Sequence, residues 1–300
     1  MKVTPLPEVQ PRERRVAVGT FDGVHRGHRE VIAGADTVLT FDPHPVSVVR
    51  PEAAPKLLTR LDRKAELIAG LGVEEVVVIP FDREFASRSA QEFVDDVLVG
   101  ALNATRVSVG ENFRFGHRAQ GDAEMLRADP RFETHVQPLI EVGDEIVSSS
   151  HIRGLVLGGH VEEANPLLVD PFQVRGEVMH GDKRGRELGY PTANLVPDTR
   201  YVTPGHGVYA CRAGVVGPDA EGWWTAAVNV GIRPQFKTGR GELIEAYLLD
   251  FEGDLYGSEL RIEFHRRLRG ERRFASVDAL LEQMARDVDD ARRLLRFPAA

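Results

Sequence analysis

Through about residue 145 the chain alternates short apolar runs with stretches of helical spacing. Residues 16–21, 37–41, 76–81, 106–110 and 136–142 are rich in β-branched and aromatic side chains, the pattern of strands buried on both faces of a parallel sheet. Between them, residues 62–71 and 90–98 space their apolar positions three and four apart, and Ser89 is placed to cap the second helix. This alternation predicts a doubly wound α/β unit. After residue 170 the texture changes. Residues 173–179, 207–213, 225–230, 243–251 and 259–264 are shorter alternating runs punctuated by Gly, Pro and Asp, which predicts antiparallel strands closed as a small barrel. The chain ends in an amphipathic helix capped by Ser276, with Val277, Leu280, Leu281, Met284, Val288, Ala291 and Leu295 on the face expected to dock on the barrel.

A length of 300 residues exceeds what one hydrophobic core usually serves, and the change of texture sets the expected division. Residues 1–158 form the α/β domain and residues 159–169 a link. Within that link, residues 160–168 read as a short helix ending near Pro166. Residues 170–300 form the barrel domain, opened by Asp170-Pro171. No internal repeat or low-complexity tract interrupts this order.

Composition narrows the function classes. With 42% hydrophobic and 28% charged residues the chain is ordinary for a globular protein, and no apolar run approaches the ~20 residues of a membrane span. Residues 1–7 lack the apolar core of a signal peptide, and Cys211 is the single cysteine, so a cytoplasmic protein without disulfides is expected. A formal charge of −8 argues against a nucleic-acid backbone as partner and directs anionic small substrates to local cations. Such cations cluster at residues 26–29, 183–186 and 266–273, the last reading as a solvated surface.

Two segments carry candidate chemistry. In residues 181–194, Gly181, Gly185 and Gly189 allow backbone N–H groups to converge on phosphate, while Lys183, Arg184 and Arg186 neutralise it. Thr192 and Asn194 offer neutral oxygens that Mg²⁺ accepts beside phosphates, next to the fixed φ of Pro191. A hairpin turn with a solvated basic rim would show the same glycines. Residues 16–28 read as a strand, a glycine turn and a helix start, the place where open α/β sheets bind ligands. His25 and His28 fall at that helix start, with Gly27 keeping the approach open. Two imidazoles three apart can also hold a metal or be structural. Ser149, Ser150 and Arg153 supply donors at a further expected helix start.

The run Phe-Asp-Gly-Val-His-x-Gly-His at residues 21–28 resembles the FAD synthetase branch of the nucleotidylyltransferase superfamily. The segments Thr40-Phe41-Asp42-Pro43-His44-Pro45, Gly110-Glu111-Asn112-Phe113-Arg114-Phe115-Gly116 and Val147-Ser148-Ser149-Ser150-His151-Ile152-Arg153 support that branch, with serine at 150 where threonine is usual. Pro191-Thr192-Ala193-Asn194, with Gly176, Val178, His180, Leu188 and Gly189 before it, resembles the riboflavin kinase family. So do Gly207-Val208-Tyr209, Asn229-Val230-Gly231-Ile232-Arg233-Pro234 and Glu245-Ala246-Tyr247-Leu248-Leu249-Asp250-Phe251, with Gln235 in place of threonine.

The resemblance covers nearly the whole chain. It implies a Rossmann-like nucleotidylyltransferase domain followed by a riboflavin kinase barrel, converting riboflavin and ATP to FMN, then FMN and ATP to FAD and pyrophosphate. By the same resemblance Glu245, His25 and His28 are catalytic. ATP meets Gly19, Phe21, Gly27, Ser149, Ser150 and Arg153 at the first site, and Gly181, Lys183, Gly185, Arg186 and Pro191 at the second. Asn112, Asp42 and Tyr247 meet flavin, and Thr192 and Asn194 hold Mg²⁺. One departure is structural: the span from His28 to the strand at Thr37 leaves room for only about two helical turns, where the family has a longer first helix. Three other readings are weighed on the residues: a kinase whose adenylylation half is weakened by the shortened helix, a non-catalytic flavin-binding or regulatory protein, and a class I aminoacyl-tRNA synthetase. The last shares His-x-Gly-His, but this chain is short and acidic and lacks a Lys-x-Ser-Lys loop.

Overall fold

The computed structural model describes residues 1–143, 145–179, 190–217, 221–233 and 241–295. The chain divides into two compact units, Met1–His151 and Ile152–Ala300.

In the first unit six strands form one sheet: β1 (Lys2–Pro5), β2 (Arg14–Val18), β3 (Thr37–Asp42), β4 (Glu75–Pro80), β5 (Ala104–Gly110) and β6 (Glu133–Gln137). Every pairing is parallel, in the order β1-β4-β3-β2-β5-β6. Their unbroken apolar runs follow from burial on both faces. Val16, Ala17, Val38, Leu39, Val76, Val77 and Val107 are fully buried, as parallel strands covered by crossovers must be. From β2 the chain steps outward through β3 to β4, then crosses to the other side for β5 and β6. The strand order therefore reverses between β2 and β5, and the carboxyl ends of the strands there form the place where open sheets bind ligands. At the opposite ends, the Glu75 carboxylate accepts hydrogen bonds from Thr4 Oγ1 at 2.8 Å and Arg14 Nε at 3.3 Å, tying three strands together.

Two helices matter for the first site. Helix α1 (Arg26–Ile32) follows β2 and has the two turns expected of it. Helix α2 (Leu61–Ala69) begins one residue before the span expected at 62–71 and ends two residues short of it. Ser89 caps the next helix through a reciprocal bond with Glu92, and residues 93–101 then widen into π-helical turns.

Several boundaries differ from the sequence reading. The run at residues 16–21 leaves the sheet after Val18. The run at residues 136–142 overshoots: β6 ends at Gln137, and Glu141–Val142 pair instead with Glu145–Ile146 in a small ribbon. The edge strand β1 was hidden by its short length and its terminal Pro5, both tolerated at a sheet edge.

The second unit is an antiparallel sheet of β7 (Gln173–Glu177), β8 (Ala193–Leu195), β9 (Gly207–Val216), β10 (Glu221–Arg233), β11 (Gly241–Leu248) and β12 (Glu259–Arg269), in the order β7-β12-β9-β10-β11-β8. A single bridge, Met179 N donating to Asn194 O at 2.8 Å, joins its two ends, so the barrel is nearly closed. Inward positions alternate as strand geometry requires: Tyr209, Cys211, Ala226, Val228, Val230, Ile244, Ala246, Ile262 and Phe264 are all fully buried. The run expected to end at 251 stops at Leu248. The expected link helix is a turn of α-helix, Val161–Ala164, and a 3₁₀ turn, Asn165–Leu167.

Helix α3 (Ser149–Gly158) starts at the serine segment, and helix α4 (Val277–Leu294) ends the fold, with Ser276 Oγ accepting from Ala279 N at 3.2 Å. Helix α4 packs Ala291 and Leu295 on Ala210, Ala227 and Leu268. Val277 does not join that face and is 57% exposed. The buried Asp287 on the same helix pairs with Arg269 at 2.8 Å instead.

Candidate active sites

The first site is built on the loop between β2 and α1. Phe21 and Val24 both sit at positive φ, +48° and +42°, a strained state for side-chain-bearing residues that persists only when surroundings impose it. The surroundings are visible. Asp22 is buried, and its Oδ1 accepts the backbone N–H of Leu58 at 2.8 Å and of Thr59 at 3.2 Å. Thr59 Oγ1 accepts Gly23 N at 3.0 Å, and Ser149 Oγ donates to Asp22 O at 2.8 Å. The start of α2 and the start of α3 thus clamp the loop from two sides.

Within that clamp the two histidines cap one another. His28 N donates to His25 Nδ1 at 3.2 Å and His25 N to His28 Nδ1 at 3.4 Å, with the rings stacked 3.5 Å apart. Both Nδ1 atoms accept, so both protons sit on Nε2 and both rings are neutral. Adding a proton at either Nδ1 would set it against an amide hydrogen. Burial lowers His25 to about 4. His28 is pushed well below its ordinary value by burial first, then by His25 and Lys64. The Phe21 ring closes on His28 edge to face at 5.2 Å, and Gly27 is small where a Cβ would stand 3.2 Å from the His25 ring. Gly19 leaves similar room for Phe21.

Other expected residues are placed by their elements alone. Asp42 ends β3, Asn112 is exposed in the turn after β5, and Ser150 and Arg153 lie in α3 beyond Ser149. Asp22 falls inside the Phe-Asp-Gly-Val-His run but its bracing role, and Thr59 and Lys64 altogether, carry no signal in spacing, since Thr59 and Lys64 arrive from more than thirty residues away.

The second site lies on the outward face of the barrel. Glu245 in β11 stands directly opposite Asn194 of β8 on one side and Asn229 of β10 on the other. Directly paired residues share a face, so the three form a row across three strands. Asn229 Nδ2 donates to Glu245 Oε2 at 3.4 Å, and Asn194 Nδ2 to Thr192 O at 3.3 Å, which orients the Asn194 oxygen away from that carbonyl. Two residues along β11 on the same face, Tyr247 meets Tyr190 edge to face at 5.3 Å, beside Pro191.

Glu271 brings a second carboxylate near the row. Its Oε1 lies 2.6 Å from where a Cβ on Gly231 would stand, so a larger residue there would displace the carboxylate. Gly181, Lys183, Gly185 and Arg186, like Arg184, His180, Leu188, Gly189 and Gln235, lie outside the described residues.

Among the described residues no group of three His, Cys, Asp or Glu side chains is placed to hold a metal ion. The donor set at Thr192, Asn194 and Glu245 is one carboxylate with neutral oxygens. That suits a magnesium ion which keeps its waters and shares phosphate ligands, and not an all-protein cage. No helix of the described residues is long and apolar enough to cross a membrane.

Comparison with known proteins follows the same division. The family model for FAD synthetase matches residues 8–151 and that for riboflavin kinase residues 168–295. The bifunctional riboflavin kinase/FMN adenylyltransferase of Bacillus subtilis is 38% identical over 93% of this chain and 91% of its own. The Escherichia coli protein of the same name is 38% identical over 92% and 91%. A solved chain described as a macrolide-efflux protein from Streptococcus pneumoniae has a TM-score of 0.88 at 30% identity, covering 97% of this chain and 99% of its own. With both modules matched in order and both curated relatives aligned over nine-tenths of their length, the chain belongs to the bifunctional riboflavin kinase/FMN adenylyltransferase family.

Proposed function

We propose a division of the two activities between the two sites, with the domains running 1–158 and 170–300 about a link at 159–169. The row Asn194–Glu245–Asn229 carries the kinase assignment, because it sets one carboxylate among neutral donors and acceptors on an accessible face. Glu245 accepts the proton of the ribityl 5′-hydroxyl as that oxygen attacks the γ-phosphorus of ATP, giving FMN and ADP. Asn229 holds the carboxylate in place, and Tyr247 meets the flavin. Thr192 and Asn194 hold Mg²⁺, which when bound supplies positive charge beside the phosphates. Pro191 and the unseen Gly181, Lys183, Gly185 and Arg186 complete the ATP contacts.

At the first site FMN attacks the α-phosphorus of a second ATP, giving FAD and releasing pyrophosphate with no covalent enzyme intermediate. His25 and His28 each offer one Nε2–H to phosphate oxygens where charge grows. Gly19, Phe21 and Gly27 shape the loop around them, and Ser149, Ser150 and Arg153 hold the leaving pyrophosphate. Asn112 and Asp42, at the ends of neighbouring strands, meet the flavin. Conversion of FMN to FAD in the cytoplasm, with ATP as co-substrate, fits a chain whose single cysteine is buried.

Reciprocal variants of the full chain test the division. Glu245→Gln is expected to abolish FMN formation from riboflavin while FAD formation from supplied FMN persists, and His28→Ala to do the reverse. Chromatography of the flavins reads both. Loss of both activities in a folded chain by either change would overturn the two-site assignment.

A further inference from the structure

The clamp on the phosphate loop contains a cation that the mechanism above does not use. Lys64, on the first turn of α2, is buried at 8% exposure, and its Nζ donates to Thr20 O at 2.7 Å. Thr40 Oγ1 donates to the same carbonyl at 3.2 Å, so the residue just before the strained Phe21 is held from β3 and from α2 together. A lysine buried against a carbonyl is costly in isolation. Burial draws it below the ordinary lysine range, while the carboxylates of Asp22 and Asp42 pull the other way. A buried ammonium retained at such a cost, beside two imidazoles whose Nδ1 atoms must stay unprotonated, points to electrostatic work on that pair.

We propose that Lys64 is a positioning residue of the adenylyl-transfer site: its ammonium pins the Thr20 carbonyl and fixes a positive charge beside His28 of the stacked pair, so that the pair meets the triphosphate as two neutral N–H donors. Among the described residues, the charged groups on the elements at the pair include Glu30 on α1 and Arg153 on α3. Lys64 comes from α2, Asp22 from the loop and Asp42 from β3. Arg26 and Arg29 lie exposed on α1 itself, and Arg106, Glu133 and His135 belong to the strands packed against that helix. Of these, Lys64 and the paired ring act on His28. A protonated pair would lose its mutual caps, since each Nδ1 would turn from acceptor to donor. Lys64 opposes that outcome as pH falls.

The inference rests on the assignment of the two histidines to phosphate, and the experiment keeps the two apart. Lys64→Gln retains an N–H donor for Thr20 O without the charge, and Lys64→Arg retains the charge. Both are made in the full chain, with FMN formation from riboflavin as an internal check of the second unit. FAD formation from FMN, ATP and Mg²⁺ is followed from pH 3.5 to 8.

For Lys64→Gln the acid limb is expected to move up by at least about half a pH unit, with the rate at pH 7 within about twofold because both rings stay neutral there. For Lys64→Arg the limb is expected to stay where it is in the unsubstituted chain. Titration of ¹³C-labelled histidine rings by NMR in the ligand-free variants reads the same shift when turnover is too slow to follow. An unmoved limb and unmoved ring titration in Lys64→Gln, or equal shifts in both variants, would overturn the proposal. Undiminished FAD formation by His28→Ala would instead remove the phosphate assignment beneath it.

Discussion

At the first site two imidazoles stack 3.5 Å apart behind fully buried strands, whereas the second lays Asn194, Glu245 and Asn229 along the outward face of a barrel. The contrast follows from sheet type. A parallel sheet is covered on both faces, so its chemistry has to sit at strand ends, on a loop that needs bracing from elements far along the chain. An antiparallel barrel fills its interior with apolar side chains and leaves alternate positions free, so three strands can present a catalytic row with no special backbone. Burial then selects the chemistry. Burial favours the neutral form of the enclosed pair, while a half-buried carboxylate beside one amide is suited to accept a proton.

That contrast predicts effects of different size. The largest is on rate: removing the proposed base in Glu245→Gln should lower riboflavin phosphorylation by about 10²–10⁴-fold, with FAD formation from FMN within about twofold, as read by initial rates. A comparable fall in both reactions would break the comparison.

Next is the pH dependence of stability. His25 titrates at about 4 in the folded chain and near 6.5 when unfolded. Between those values the unfolded chain binds the extra proton, so the stability is present above 6.5 and lost as pH falls toward 4, by about 3 kcal/mol in full. Calorimetry at pH 7 and 5 should show the first unit melting lower at pH 5. Trp223 and Trp224, the protein's two tryptophans, lie in the second unit, so fluorescence identifies the transition that belongs to the barrel.

Asn229→Leu sharpens the second site alone. Losing the bond to Glu245 should slow FMN formation about tenfold, equivalent to roughly 1.4 kcal/mol, without moving FAD formation. The smallest effect belongs to Ser276→Ala. Loss of this cap should reduce barrel stability by about 1 kcal/mol in a urea titration followed by tryptophan fluorescence, leaving FAD formation untouched.

Much of the architecture was legible because both periodicities are strong: continuous apolar runs with helical spacing before residue 145, alternation after 170. The misread ends share one cause. At 19–21 and 138–142 apolar residues continue past the last strand pairing, because Phe21 serves the phosphate loop and residues 141–142 a separate ribbon. Val277 has the right spacing for the α4 face, but the helix begins beyond the barrel surface it packs on.

By itself the sequence determined the two modules, their order and the motif residues, since those depend on local spacing: His25 with His28, Thr192 with Asn194, a lone Glu245 in an apolar strand. Only the tertiary structure decided what those residues face. The histidines turn out to cap one another, Asn229 lies beside Glu245 through strand register, and Asp22, Thr59 and Lys64 converge on one loop from segments more than thirty residues apart. Protonation state and carboxylate orientation arise from burial and cross-strand pairing, which depend on where the chain returns in space and leave no periodic trace along it.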